Sequence, residues 1–267
     1  MFRSSPVVLD DVSALDIAFV LDTTGSMTPL LQAAREHMTS LLSQLASESS
    51  LRVGFVEYRD HPPQDKLLTR VVPFSSDLKS AQKTIEAFSA QGGGDGPEAV
   101  FDGIVAATQM EWRRHARRIA VLIGDAPPHG VGARGDGFPR GCPCGETPDS
   151  VSARCEEARV TLYALGLQPD VDPHFELLAA STGGEFWSAH GGYHERNRKP
   201  NGSYLPPMER LKLILEAEAA HLQQDRLTLR AFQDAPGALS DEIAEKLGCG
   251  RGTIAASLAR LGRRELI

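Results

Sequence analysis

The chain predicts an α/β fold: a doubly wound, mostly parallel sheet followed by a small all-α helix-turn-helix module. Three observations predict it. Apolar runs of strand length at residues 15–22, 51–58, 117–124 and 160–166 alternate with longer segments whose apolar residues recur at helical spacing. Two of these runs end in aspartate, Asp22 and Asp125, where open α/β sheets gather ligand-binding groups beyond the carboxyl ends of their strands. After residue 222 the strand pattern stops and only helical periodicity remains.

Each element has a local cause. Apart from Asp16, Leu15 to Leu21 is too uniformly apolar for a half-exposed strand and reads as one buried on both faces. Thr28-Pro29 starts a helix that runs to about Glu48, with Leu30, Leu31, Ala34, Met38, Leu41, Leu42 and Leu45 on one face. Residues 51–58 and 69–74 read as strands, the second placed at an edge by Pro73. A helix follows over 77–89, then the glycine run 92–94, then a helix predicted from Pro97 to about Met110. Strand 117–124, a long loop, helix 147–159, strand 160–166, helix 173–182 and strand 185–189 complete the alternation. Residues 190–207 are polar, basic and glycine-rich, and read as a surface connection.

At 267 residues the chain can hold one full domain and a small second one, divided here as 1–222 and 223–267. A hydrophobic content of 41% with 24% charged residues is ordinary for a packed core. The net charge of −7 argues against a surface that tracks nucleic acid or anionic membrane as a whole. No apolar run approaches the roughly 20 residues of a membrane span, and no secretory leader pattern opens the chain. The expected location is therefore cytoplasmic, with no membrane partner.

The residues that carry chemistry begin with Asp22-Thr23-Thr24-Gly25-Ser26, a carboxylate and two hydroxyls at alternate positions after a strand. Such hard oxygen donors suit Mg²⁺ or Mn²⁺ rather than softer metals. Gly92 to Glu98 and the strand ending at Asp125 supply two further loops that can converge on the same ion. With these residues the chain resembles the von Willebrand factor A domain and its metal-ion-dependent adhesion site, written Asp-x-Ser-x-Ser plus a threonine and a later aspartate. Asp22, Thr24 and Ser26 match the first loop and Asp125 the last, over about residues 13–222. Asp95 stands where integrin-like members carry threonine, so the expected ligand set is Asp22, Thr24, Ser26, Asp95 and Asp125. Three carboxylates on one ion imply firm metal binding and a weaker grip on a partner's carboxylate.

A second donor group lies on the same rim. His61, His129, Cys142 and Cys144 follow the ends of two strands, and loops of neighbouring strands can bring them together. Three readings stand open: a Cys₂His₂ zinc site, free thiols beside loop-packing histidines, and a redox disulfide disfavoured by a reducing compartment. Cys155 falls on the next helix, facing the core.

The tail resembles the helix-turn-helix core of bacterial winged-helix regulators over residues 223–267, with the wing strand lacking. Ser240 is the expected N-cap of one helix and Arg251 to Gly262 the recognition helix. Arg251, Thr253, Arg260, Arg263 and Arg264 are its candidate DNA or partner contacts. Residues 236–267 carry five basic against four acidic side chains, too little for strong phosphate binding.

Together these features imply a bacterial, intracellular, non-enzymatic adaptor that engages a protein partner at a divalent metal through an acidic side chain. Family resemblance implies an ATPase, kinase or phosphatase as company. One alternative is a metal-responsive DNA-binding regulator. Another is a metal-dependent phosphohydrolase, although Thr24 stands where that chemistry needs a second aspartate as general acid.

Overall fold

The structure is a computed structural model and describes residues 9–189 and 206–267, so most of the 190–207 connection lies outside the described residues. The chain forms α1 (Leu9–Val12), β1 (Ala14–Asp22), α2 (Thr28–Glu48), β2 (Ser50–Tyr58), β3 (Thr69–Ser75), α3 (Leu78–Ala87), α4 (Val100–Thr108) and β4 (Arg117–Gly124). It continues with α5 (Pro148–Glu157), β5 (Val160–Gly166), α6 (Asp172–Ser181), β6 (Phe186–Ser188), α7 (Pro207–Asp234), α8 (Ser240–Leu247) and α9 (Arg251–Arg263).

The six strands lie in the order β3-β2-β1-β4-β5-β6. All neighbours are parallel except β3, which pairs antiparallel with β2 at the edge, where Pro73 is tolerated. Leu15, Ile17, Phe19 and Leu21 point to a layer made with α2, α3 and α7, while Ala18 and Val20 point to one made with α4, α5 and α6. Burial on both faces explains why β1 has no polar alternation. Strand order reverses between β1 and β4, and the crevice at that switch is where ligands gather.

One element differs from expectation. The helix predicted from Pro97 begins at Val100. The Glu98 N–H is spent on Pro127 O at 2.9 Å and the Ala99 N–H on Arg59 O at 2.8 Å, so this stretch is extended and held sideways before the helix starts.

The long helix α7 spans both predicted regions, and the 222/223 division falls inside it. Leu211, Ile214, Leu215, Ala219 and Leu222 pack on the sheet layer, and Leu229 and Ala231 pack with the C-terminal helices. Among the apolar contacts sits a buried charge: Glu218 takes both Arg117 Nε and Nη2, at 2.8 and 2.9 Å, and the Tyr163 hydroxyl.

The helices α8 and α9 are tied to the body rather than appended to it. Asp225, 1% exposed, accepts the Ser257 hydroxyl at 2.7 Å and Arg260 Nη2 at 2.6 Å. Arg264 donates to the carbonyls of His115, Asp11 and Val12. These ties attach α9 near the amino-terminal ends of β1 and β4, the end of the sheet opposite Asp22 and Asp125. At the start of α8, Glu242 rather than Ser240 does the capping, accepting the Leu239 N–H at 2.9 Å.

Replacing Asp225 by Ala strands Arg260 and Arg264 beside an apolar patch, at an expected cost of roughly 3 kcal/mol. Limited proteolysis should then cut between α7 and α8 much faster than in the wild type. An unchanged digestion pattern would contradict the docking role. No helix among the described residues is long and apolar enough to cross a membrane.

Candidate metal centre

The first loop is built by the end of β1. Asp22 is fully buried, and its Oδ1 accepts the Thr24 N–H at 2.8 Å and the Thr24 hydroxyl at 2.7 Å, a tight turn that aims both side chains off the strand end. Thr24 Oγ1 lies 3.4 Å from Ser26 Oγ, and Ser26 donates to Asp125 Oδ1 at 3.0 Å. Asp22, Thr24, Ser26 and Asp125 thus form one continuous chain of oxygen contacts. Arg59 steadies this loop from below, with its Nε on Thr23 Oγ1 at 3.1 Å.

The glycine loop forms the opposite wall of a cleft of about 260 Å³ lined by Thr24, Ser26, Glu98 and Asp125 among others. It approaches so closely that a Cβ on Gly93, where φ is +80°, would fall 2.9 Å from Glu98 Oε1 and 3.2 Å from Thr24 Cβ. Glu98, 3% exposed, is the residue the sequence reading passed over. Its signal was its place at the end of the glycine loop, facing an apolar helix start, where a carboxylate has no solvent.

Electrostatics mark the cleft as short of positive charge. Burial pushes the Asp22 carboxyl up to about 7, against the lowering effect of Thr24. Glu98 is pushed up to about 10 by burial first and then by Asp22, Asp60, Asp95 and Asp125. Burial raises Asp125 as well. Asp22 Oδ2, Glu98 Oε2 and the Tyr58 hydroxyl are buried with no hydrogen-bond partner among the described residues. Orphaned oxygens beside two exposed-rim hydroxyl and carboxylate groups are the complement of a hard divalent cation, so this donor set fits Mg²⁺ or Mn²⁺.

Asp95 borders the cleft and a second cluster at once. Its Oδ2 takes the Gly137 N–H, and the carboxylate lies with Asp60 and His129, ligand atoms mutually within 4.8 Å. Asp95 still lines the cleft beside Glu98, and its Oδ1 is buried without a hydrogen-bond partner among the described residues, so both carboxylates of this loop border the site. Glu98, with its pKa pushed up to about 10, is a neutral acid in the metal-free site.

His129 leaves the set predicted for it. Its Nε2 is 2.7 Å from Asp60 Oδ1 and its Nδ1 is 2.9 Å from Asp136 Oδ1, so the ring groups with Asp60 and Asp95 and not with the cysteines. Burial works against its charge, but the two carboxylates outweigh that and hold its pKa above the ordinary histidine range. His61, Cys142 and Cys144 do come together, and Asp102, in the first turn of α4, takes the fourth place. Nothing local in the sequence distinguishes Asp102 from a helix-capping acid.

Of the tail residues, Arg251, Thr253 and Arg263 are exposed. Arg264 is 5% exposed and Arg260 is engaged by Asp225, so these two are internal ties and not surface contacts. Ser257, an outward position by helical count, is fully buried.

Comparison with known proteins agrees with the fold. The profile of the von Willebrand factor type A domain matches residues 16–190. The alpha-protein kinase vwkA of Dictyostelium discoideum is 31% identical over 154 residues, 56% of this chain and 24% of that protein. A putative ariadne-like RING finger protein, R811, of Acanthamoeba polyphaga mimivirus is 29% identical over 133 residues, 49% of this chain and 13% of that protein. The chain thus spans a quarter or less of either relative. In fold it is similar to the pilus adhesin SpaC of Lactobacillus rhamnosus GG, with TM-score 0.52 at 14% identity, covering 80% of this chain and 30% of that one. It is also similar to an aerotolerance-related membrane protein of Bacteroides fragilis, with TM-score 0.50 at 14% identity, covering 78% and 99%.

Proposed function

The chain belongs to the von Willebrand factor type A domain family, and from this premise we propose that it is a metal-dependent protein-interaction module. Asp22, Thr24, Ser26 and Asp125 hold Mg²⁺ or Mn²⁺, and an acidic side chain of a partner protein completes the shell at the open rim. The observation that carries the reading is Asp22 Oδ2: a fully buried carboxylate oxygen without a partner among the described residues, on a side chain whose other oxygen is held by Thr24 in the wall of a cleft whose lip is the exposed Ser26 hydroxyl. A bound cation supplies the positive charge that the cleft lacks and a coordination position open to a carboxylate.

The reading is non-enzymatic. Thr24 occupies the place of a phosphohydrolase's general acid, and its hydroxyl is already donated to Asp22. The matched region forms a minor part of a protein named as a kinase and of one named as a RING finger protein, which suits an accessory, partner-recruiting role beside an ATPase, kinase or phosphatase. A cytoplasmic setting is supported by free thiols at all four cysteines. The DNA-regulator alternative retains only Arg251, Thr253 and Arg263 as exposed contacts and is not adopted. The α8–α9 module, at the end remote from the rim, instead leaves the rim clear for a partner.

Affinity capture from a lysate in Mg²⁺ and in EDTA tests this function. A partner retained in Mg²⁺ and lost both in EDTA and with Asp125→Ala is expected. The same captured set in EDTA would sink the proposal.

A further inference from the structure

The loop between β4 and α5, residues 125–147, contains no helix or strand and is long for a connection of its kind. From residue 130 to 147 only Cys142 is buried, so apolar burial does not hold this stretch in place. Its two ends nonetheless close tightly: a Cβ on Gly130, where φ is +79°, would lie 2.4 Å from Gly141 Cα. What converges there is a mixed donor set. His61 Nε2 lies 3.0 Å from both Asp102 Oδ2 and Cys142 Sγ, Cys142 Sγ lies 3.0 Å from Asp102 Oδ2 and 2.9 Å from Cys144 Sγ, and Cys144 Sγ lies 3.3 Å from Asp102 Oδ2.

We propose that His61, Asp102, Cys142 and Cys144 are the four ligands of a structural zinc site that staples the 125–147 loop to the end of β2 and the first turn of α4. Thiols are weak hydrogen-bonding groups, and two of them packed on one carboxylate and one imidazole gain little from each other. Around Zn²⁺ the same four atoms are an ordinary tetrahedral set of two sulfurs, one nitrogen and one oxygen. Zinc–ligand bonds of about 2.0–2.3 Å space tetrahedral ligand atoms by about 3.3–3.8 Å, so the cluster accommodates the ion by opening about half an ångström. Hard cations such as Mg²⁺ are excluded by the thiolates, which keeps this site distinct from the Asp22 centre. Four protein ligands leave no open position, as expected of a structural rather than a catalytic zinc.

The site borders the recognition rim. Asp60 Oδ1 accepts the His61 N–H at 2.6 Å and sits 2.7 Å from His129 Nε2, while the loop's Gly137 donates to Asp95. The zinc therefore holds in place the wall that partners meet beside the Mg²⁺ cleft.

Metal analysis of tag-free protein purified without chelator, or refolded with Zn²⁺ and desalted, should find one equivalent of zinc. Cys142→Ser, Cys144→Ser and Asp102→Ala should each fall below about a tenth of an equivalent, whereas His129→Gln and Asp22→Ala should keep the full equivalent. Substitution of Co²⁺ into the wild type should give a thiolate-to-cobalt charge-transfer band, a readout that needs no variant to fold. Wild-type protein that binds no zinc after reconstitution, gives no such band, or keeps its zinc when both cysteines are replaced would overturn the proposal. Because Asp22→Ala separates the two ions, failure here leaves the Mg²⁺ reading standing, and failure of that reading leaves this one.

Discussion

Asp22→Asn is expected to stabilise the metal-free protein while weakening Mg²⁺ binding roughly 100-fold or more. The two effects have one cause. Asp22 is fully buried, and its carboxyl is pushed up to about 7 by burial. A carboxyl whose folded pKa lies above its unfolded value holds its proton more tightly in the folded state. Stability is therefore greatest below the unfolded value near 4, falls as pH rises toward about 7, and is flat above it. Over that window the loss is on the order of 4 kcal/mol, at 1.36 kcal/mol per unit. Asparagine keeps Oδ1 as acceptor for the Thr24 amide and hydroxyl, removes the charge and puts an NH₂ donor in place of the unpartnered Oδ2. Urea unfolding in EDTA at pH 5 and pH 8 should show the variant gaining on the wild type by about 2–4 kcal/mol at the higher pH. The same linkage makes wild-type Mg²⁺ affinity rise between those pH values, because the metal must displace the proton. Calorimetric Mg²⁺ binding by the variant at wild-type affinity, or no relative gain in stability at pH 8, would refute the assignment of Asp22.

Glu218→Ala is expected to cost about 3–5 kcal/mol, the largest loss of stability from any single change considered. Glu218 is fully buried in α7, paired through two oxygens with Arg117, and hydrogen-bonded by Tyr163. Truncation leaves the Arg117 guanidinium without its counter-charge against the apolar layer of α7. Burial opposes the Glu218 charge, but Arg117 outweighs it and holds the carboxyl well below the usual range. That contribution is present above the unfolded glutamate value and is lost as pH falls toward the folded one. Urea midpoints at pH 7 measure the loss. A double replacement, Arg117→Met with Glu218→Leu, should recover most of it, since an apolar pair of similar volume avoids both desolvation costs. A single variant within 1 kcal/mol of the wild type would show that the pair contributes little.

Much of the fold was legible because its signals are local. β1 reads as buried on both faces from seven residues alone, Pro73 marks an edge strand, and Thr28-Pro29 marks the start of α2. Loop 1 was legible for the same reason, since the alternate spacing of Asp22, Thr24 and Ser26 is a property of one turn. Asp125 followed from its place at a strand end. The remaining assignments failed where the answer depended on what a distant segment does. Pro97 is a good helix opener, but Arg59 and Pro127 claim the next two N–H groups. His129 has a ligand's chemistry, but Asp60 and Asp136 occupy both its nitrogens. Arg260 and Ser257 fall outward by helical count until α7 supplies Asp225.

By itself, the sequence determined the alternating α/β frame, the oxygen-rich turn after β1 and the presence of a helical tail, because hydrophobic period, turn chemistry and strand-end position all act within a few residues. The tertiary structure alone decided that Glu98 lines the cation cleft beside Asp95, and which acid joins His61 and the two cysteines, Asp102 in place of a second histidine. It also decided that one helix serves both the sheet and the tail. Side chains tens of residues apart become neighbours only through the sheet order, and a buried carboxylate or imidazole takes its role from the nearest opposite charge or donor.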